Sequence, residues 1–255
     1  MLLNDIVSIL DNELDSPNVS DYCPNGLQLE GKSDVRKIVT GVTASLALID
    51  KAIALNADAI VVHHGYFWKG EKQAIVGMKQ QRIKKLLVNG ISLIAYHLPL
   101  DVHPTMGNNA QLGKLLNIQN VKALSASKPD GIVMAGNLKE TLSHSALSQL
   151  LSARLSHTVV SVGNKCEIAT VAWCTGGGQH FIDDTANQYV NGQVIDAFIS
   201  GEISEQTTHS AREQKIDFFA AGHHATERYG VKALGEWLME NYSLEVIFVD
   251  IDNPA

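Results

Sequence analysis

A chain of 255 residues, 45% hydrophobic and 18% charged, is long enough for one large α/β domain or two lobes of ordinary size. Its net charge of −7 argues against duplex nucleic acid as the main partner, because phosphate neutralisation needs clustered Lys and Arg. No apolar run reaches the roughly 18 residues needed to span a membrane, so a membrane is not an expected partner either.

The opening "MLLNDIVSILDNELDSPN" lacks the basic flank of a signal peptide and reads as an amphipathic helix, so the expected location is the cytoplasm. Cys23, Cys166 and Cys174 have no metal-like spacing and fit reduced, structural thiols. "RKIVTGVTA" (36–44) is β-branched and predicts a strand. "SLALIDKAIALNA" (45–57) predicts a helix capped by Ser45. "DAIVVHH" (58–64) is a short buried strand, and "VGMKQQRIKKLLVNG" (76–90) an amphipathic helix stopped by Gly90. Its basic "KQQRIKK" reads as the solvated face of that helix. "ISLIAYH" (91–97) is the next strand and "GNNAQLGKLLNI" (107–118) the next helix.

The polar segment 119–130, "QNVKALSASKPD", is the expected lobe boundary. Beyond it, "GIVMAGNL" and "HTVVSVG" predict strands around a helix over 142–155. "EIATVAWCTGGG" predicts a strand running into glycines, followed by a helix over 179–190. "VIDAFISGE" and "KIDFFAAG" predict two further strands, then "ATERYGVKALGEWLMENY" a long helix and "LEVIFVDID" a closing strand. Short apolar strands alternating with helices predict an α/β fold with mostly parallel or mixed sheets covered by helices. The expected lobes are 1–122 and 123–255, with the last helix or strand packing back on the first.

Parallel sheets carry functional residues at the carboxyl ends of their strands. His63 and His64 end one strand; His97 ends the next, and Asp101 follows in a loop primed by Pro99. His223 and His224 end a strand of the second half, with Glu227 four residues after His223, on the same face of a helix that begins there. Neutral imidazoles and carboxylates are ligands for Zn, Mn, Fe or Ni. Adjacent side chains of a regular strand point to opposite faces, but where the backbone turns each histidine of a pair can serve a different ion. Glu227 could then bridge the two. Structural histidines are the competing reading, and it is the one adopted for His103, His144, His157, His180 and His209.

"CTGGGQ" (174–179) admits either backbone N–H groups approaching an anion or simply a tight turn or close packing. Glu202 is either a supporting partner of the site or a plain loop acid. "DYCPNGLQLEG" (21–31) reads as a tight loop.

Taken together, "NGLQLEG", "VVHHGYFW", "YHLPLD", "TGGGQ", "SGEIS" and "AGHHATER" resemble, in order and spacing, the NIF-three-like proteins (Ngg-interacting factor three), often labelled GTP cyclohydrolase I type 2 homologues. The resemblance implies two similar α/β lobes with a dinuclear metal site in the cleft between them, and assembly into a toroidal homohexamer. It implies two divalent ions per subunit held by His63, His64, Asp101, His223 and Glu227, with His97 a neighbour of the site. It also implies hydrolysis of a nucleotide or other small molecule, GTP in particular. The alternative is a regulatory or metal-trafficking protein that binds metal without turnover. The chain departs from the common pattern at Gly65, where many members have Pro, and at His224, where Tyr is common.

Overall fold

The computed structural model describes all residues, Met1–Ala255. In chain order the elements are α1 (Leu3–Glu13), β1 (Gly26–Leu29), β2 (Lys37–Thr43), α2 (Leu46–Ala54), β3 (Ala59–His64), α3 (Gly77–Val88), β4 (Ser92–Ala95) and α4 (Leu98–Val102). There follow α5 (Asn108–Leu115), β5 (Gln119–Ala123), β6 (Met134–Leu142), α6 (His144–Leu155), β7 (Val160–Val162) and β8 (Ile168–Cys174). The remainder is α7 (Ile182–Thr185), β9 (Tyr189–Val190), β10 (Gln193–Val194), β11 (Ala197–Ser200), α8 (Glu205–Gln214), β12 (Asp217–Ala220), α9 (His223–Asn241) and β13 (Glu245–Phe248). No helix is long and apolar enough to cross a membrane.

The chain forms two compact units. The first comprises Met1–Leu100 with Gly230–Asp252, the second Asp101–Tyr229 with Asn253–Ala255. The first therefore ends before the expected 122. Segment 119–130 is not a linker at its start, because β5 pairs antiparallel with β6 inside the second unit's sheet.

The first unit holds a five-stranded sheet in the order β1-β4-β3-β2-β13. All neighbours are parallel except β1, which lies antiparallel on β4. Ala59 to His63 of β3 are all buried, as expected of a strand covered on both faces. Leu48, Ile49 and Ala52 of α2 and Ile83 and Leu86 of α3 pack with Ile60, Val62 and Leu93 in one core cluster. Ser45 caps α2 by accepting from Leu48 N at 3.2 Å, which contributes about 1 kcal/mol. Gly90, with φ +63°, turns the chain after α3, where a side chain would be strained.

The second unit holds a six-stranded sheet, β5-β6-β8-β11-β12-β7. Only β8, β11 and β12 are mutually parallel; β5, β6 and β7 join antiparallel. Leu147, Leu151 and Leu155, one turn apart on α6, are fully buried beside Ile168, Trp173 and Phe219. Each such leucine is worth roughly 1.5–3 kcal/mol of transfer free energy.

Two local expectations are corrected. Asp101 lies in helix α4 rather than a loop. Pro99 falls in that helix's first turn, where its missing N–H costs nothing. The helix expected over 179–190 ends at Thr185, and β9 and β10 form an antiparallel hairpin around Asn191 (φ +51°) and Gly192 (φ +82°). Asn-Gly is the residue pair that a two-residue hairpin loop with positive φ at both positions selects.

Candidate metal centre

In the first unit, three imidazoles meet at the carboxyl ends of β3 and β4. Ring centroids are 4.5 Å apart for His63–His64, 5.0 Å for His63–His97 and 5.8 Å for His64–His97. One ligand atom of each lies within 4.8 Å of the others. The alternation of a regular strand is relaxed here because His64 is the last residue of β3.

Their tautomers are set by what each Nδ1 meets. His63 Nδ1 lies 3.0 Å from the carbonyl oxygen of Tyr96, which can only accept. His97 Nδ1 lies 2.9 Å from Asp21 Oδ1. In both rings Nδ1 therefore carries hydrogen, and Nε2 presents a lone pair when the ring is neutral, the arrangement seen when histidine binds metal through Nε2. His64 Nδ1 contacts Thr43 Oγ1 at 3.2 Å.

Asp21 is a residue that the loop reading of "DYCPNG" missed. Its Oδ2 accepts from Asn25 Nδ2 at 3.0 Å and from the backbone N–H of Leu98 at 2.8 Å. Burial works against the charged carboxylate, but the bond to His97 and its charge, with Asn25 and Leu98, outweigh it and hold the pKa at about 2. Asp21, Cys23 and His97 make a second group of metal-ligating type in this unit.

At Gly65 an added Cβ would collide with Gln28 Oε1 and Ala95 Cβ. Gln28 fills that space, accepting from Tyr66 N at 2.7 Å and donating to Pro24 O at 2.8 Å. It thereby ties the loop after β3 to the loop before β1.

In the second unit, α9 begins at His223, so His223 and Glu227 share one helical face. His223 Nε2 lies 3.2 Å from Glu227 Oε1, and His223 Nδ1 lies 2.6 Å from Glu202 Oε1. Burial opposes charge on His223, yet the bonds and charges of Glu227 and then Glu202 prevail and push its pKa up to about 9. The two carboxylates thus create a place that strongly favours positive charge. Glu202 is thus in direct contact with His223.

Asp101 is buried and accepts from Asn108 Nδ2 at 2.8 Å. Burial, then the charges of Asp101 and Glu227, push the Cys174 thiol well above its ordinary value. Cys174 stays a protonated thiol near both carboxylates. His224 is buried, and its backbone N–H donates to Ala255 O at 3.1 Å.

Two glycines of "CTGGGQ", Gly176 and Gly178, serve close packing. A Cβ on Gly176 would collide with Glu227 Oε1 and stand 3.1 Å from His223 Nε2, and its φ of +62° is left-handed. Its N–H is committed to Thr226 Oγ1 at 3.0 Å, so it does not serve as an anion donor. A Cβ on Gly178 would strike Cys174 Sγ. Asn109 holds the turn by accepting from Thr175 N at 3.0 Å.

Of the histidines assigned structural roles, His144 bridges Asp217 Oδ2 (2.8 Å) and Ser161 Oγ (2.9 Å). His103 Nδ1 accepts from Met106 N at 3.1 Å. His209 pairs with Glu205 on an exposed helix face.

A family model described as Duf34/NIF3 (NGG1p interacting factor 3) matches residues 1–254. A Pasteurella multocida (strain Pm70) protein named GTP cyclohydrolase 1 type 2 homolog is 57% identical over 253 residues, covering 98% of each chain. One of the same name from Escherichia coli (strain K12) is 52% identical over 253 residues, again covering 98% of each. A solved structure described as a structural-genomics protein of unknown function superposes with a TM-score of 0.94 at 52% identity over 100% of both chains. A crystal structure of a Thermus thermophilus protein gives 0.88 at 30% identity, also over 100% of both.

Proposed function

The chain belongs to the Duf34/NIF3 family, and on that premise we propose that it is a hydrolase dependent on two divalent cations per subunit. The proposed ligands are His63, His64, Asp101, His223 and Glu227. The observation that carries the reading is the commitment of His63 Nδ1 to the Tyr96 carbonyl, which prepares its Nε2 lone pair in a cluster of three imidazoles. The donor set fits Zn, Mn, Fe or Ni.

Such cations supply Lewis acidity and a nucleophile derived from water at neutral pH. The protein's own residues do the rest. Asp101 and Glu227 supply buried negative charge, and Glu202 orients His223 through Nδ1. Asp21 orients His97, and the Gly176 backbone packs directly against Glu227. The proposed substrate is a purine nucleotide, GTP by analogy with the relatives' name, hydrolysed at C8 of the guanine with loss of formate. A toroidal homohexamer in the cytoplasm completes the proposal, and light scattering tests the assembly.

The deciding experiment uses protein purified without a histidine tag and loaded with each metal in turn. Formate release from GTP is followed in wild type, His63→Ala and Glu227→Ala. Turnover in wild type alone supports the reading; equal turnover in all three removes the assigned ligands. A second reading, metal binding without turnover, is favoured by the thin supply of cations for a triphosphate. The Arg228 guanidinium already donates to Leu155 O, and Arg212 lines a separate cavity with Lys165 and Lys215. It predicts metal binding in wild type with no release of formate.

A further inference from the structure

The first unit presents aromatic faces beside its imidazole cluster. Tyr22 and Trp68 pack with ring centroids 5.7 Å apart. Both meet His97 edge-on, at 5.0 Å and 4.9 Å, and Trp68 lies 6.0 Å from His64. Most large aromatic side chains of the fold, including Tyr66, Tyr96, Trp173, Phe198, Phe218 and Phe219, are buried, whereas Tyr22 is 54% exposed.

A single exposed tyrosine is ordinary; a scaffolded one beside candidate ligands is less so. Trp68 Nε1 donates to Gly65 O at 3.2 Å, so its polar handle is satisfied internally, and the side chain is half-buried. Trp68 N donates to Glu71 Oε2 at 3.2 Å. Lys69 N donates to Tyr22 O at 2.8 Å, fastening the two aromatic loops to each other. The turn that delivers Trp68 passes through Phe67 at φ +66°, a left-handed conformation that costs a bulky residue energy and recurs at binding sites.

We propose that Tyr22 and Trp68 form a stacking wall that selects a planar heteroaromatic ring and sets it against the His63–His64–His97 cluster. The pair are specificity-determining residues, and the inference rests on the metal-hydrolase reading for what happens to the ring once bound. Stacking suits this wall because an aromatic face accepts any planar ring without needing directed hydrogen bonds. Tyr22 and Trp68 hold the ring; they do not hold metal.

The test is calorimetric titration of the zinc-loaded, full-length protein with guanosine, ribose and choline, alongside its zinc content. Guanosine is expected to bind, and ribose and choline far more weakly. Trp68→Leu and Tyr22→Leu should each weaken guanosine about tenfold or more. Trp68→Phe and Tyr22→Phe should keep most of the affinity, and all four variants should hold wild-type zinc and melt cooperatively. Guanosine affinity unchanged in both leucine variants would overturn the wall, as would choline or ribose binding equally well. Zinc held with no guanosine bound sinks the wall and spares the metal reading. Guanosine bound through these two residues by a protein that holds no zinc sinks the metal reading and spares the wall.

Discussion

Asp21 Oδ1 accepts from His97 Nδ1 across 2.9 Å, while Oδ2 of the same carboxylate accepts the backbone N–H of Leu98 at 2.8 Å. One side chain therefore fixes both the orientation of the ring and the backbone that follows it. In Asp21→Ala the imidazole can rotate and change tautomer. Metal affinity should fall by up to about 10-fold, as the displaced ring disturbs the proposed ligands His63 and His64, whose ring centroids lie 5.0 Å and 5.8 Å away. Competition with a calibrated chelator measures it, and an unchanged affinity would remove His97 from the metal site.

Gly176→Ala tests the packing under Glu227. The new Cβ meets Oε1 of Glu227, and the residue must keep φ at +62°. We expect a stability loss of about 1–3 kcal/mol together with lower metal content. Gly177→Ala is the control, since a Cβ there meets nothing nearer than 3.8 Å. Thermal melts and elemental analysis of both variants separate the two positions.

Asp196 gives a pH signature away from the proposed ligands. Burial pushes its carboxyl up, but the N–H groups of Ala169 and Thr170, the Thr170 hydroxyl and Lys165 hold it below the ordinary value of 3.8. A depressed folded-state pKa means the unfolded chain takes up the proton first as pH falls. The contribution is therefore complete above about pH 4 and is lost as pH drops through the folded value. Denaturant melts from pH 6 to about pH 2.5 should lose stability less steeply in Asp196→Asn than in wild type.

Leu151 lies fully buried in the middle of the α6 stripe. Leu151→Ala should cost about 2–5 kcal/mol through lost transfer energy and the cavity left behind. Urea denaturation with an unchanged m-value would show that the folded and unfolded states are otherwise the same.

Much of the fold was legible because the signals are local. Ser45, Gly90 and the leucine spacing of α6 act within one turn of the chain, and the apolar run of β3 announces burial on both faces. His63 and His64 were legible as the end of the β3 apolar run, whereas His223 and His224, expected to end a strand, open helix α9 after a two-residue gap from the end of β12 at Ala220. Asp21 was hidden because its role depends on His97, distant in sequence but 2.9 Å away in space. Gly176 looked like a possible anion loop until the Thr226 hydroxyl was seen to occupy its N–H. The helix expected over 179–190 swallowed β9 and stopped just short of Asn191-Gly192, a hairpin signal that helical apolar spacing upstream obscured. β5 escaped notice because all five of its residues are exposed, leaving no alternation to read.

That hairpin carries a chemical consequence. An asparagine followed by glycine is the sequence in which the side-chain amide is most readily attacked by the next backbone nitrogen, so such turns act as ageing clocks. Here the Asn191 amide donates to Asn137 Oδ1 at 2.8 Å and to Asn120 O at 3.0 Å, which pins the side chain and restricts its approach to Gly192 N. The folded chain should keep Asn191 intact far longer than the unfolded chain, so deamidation there becomes a record of time spent unfolded.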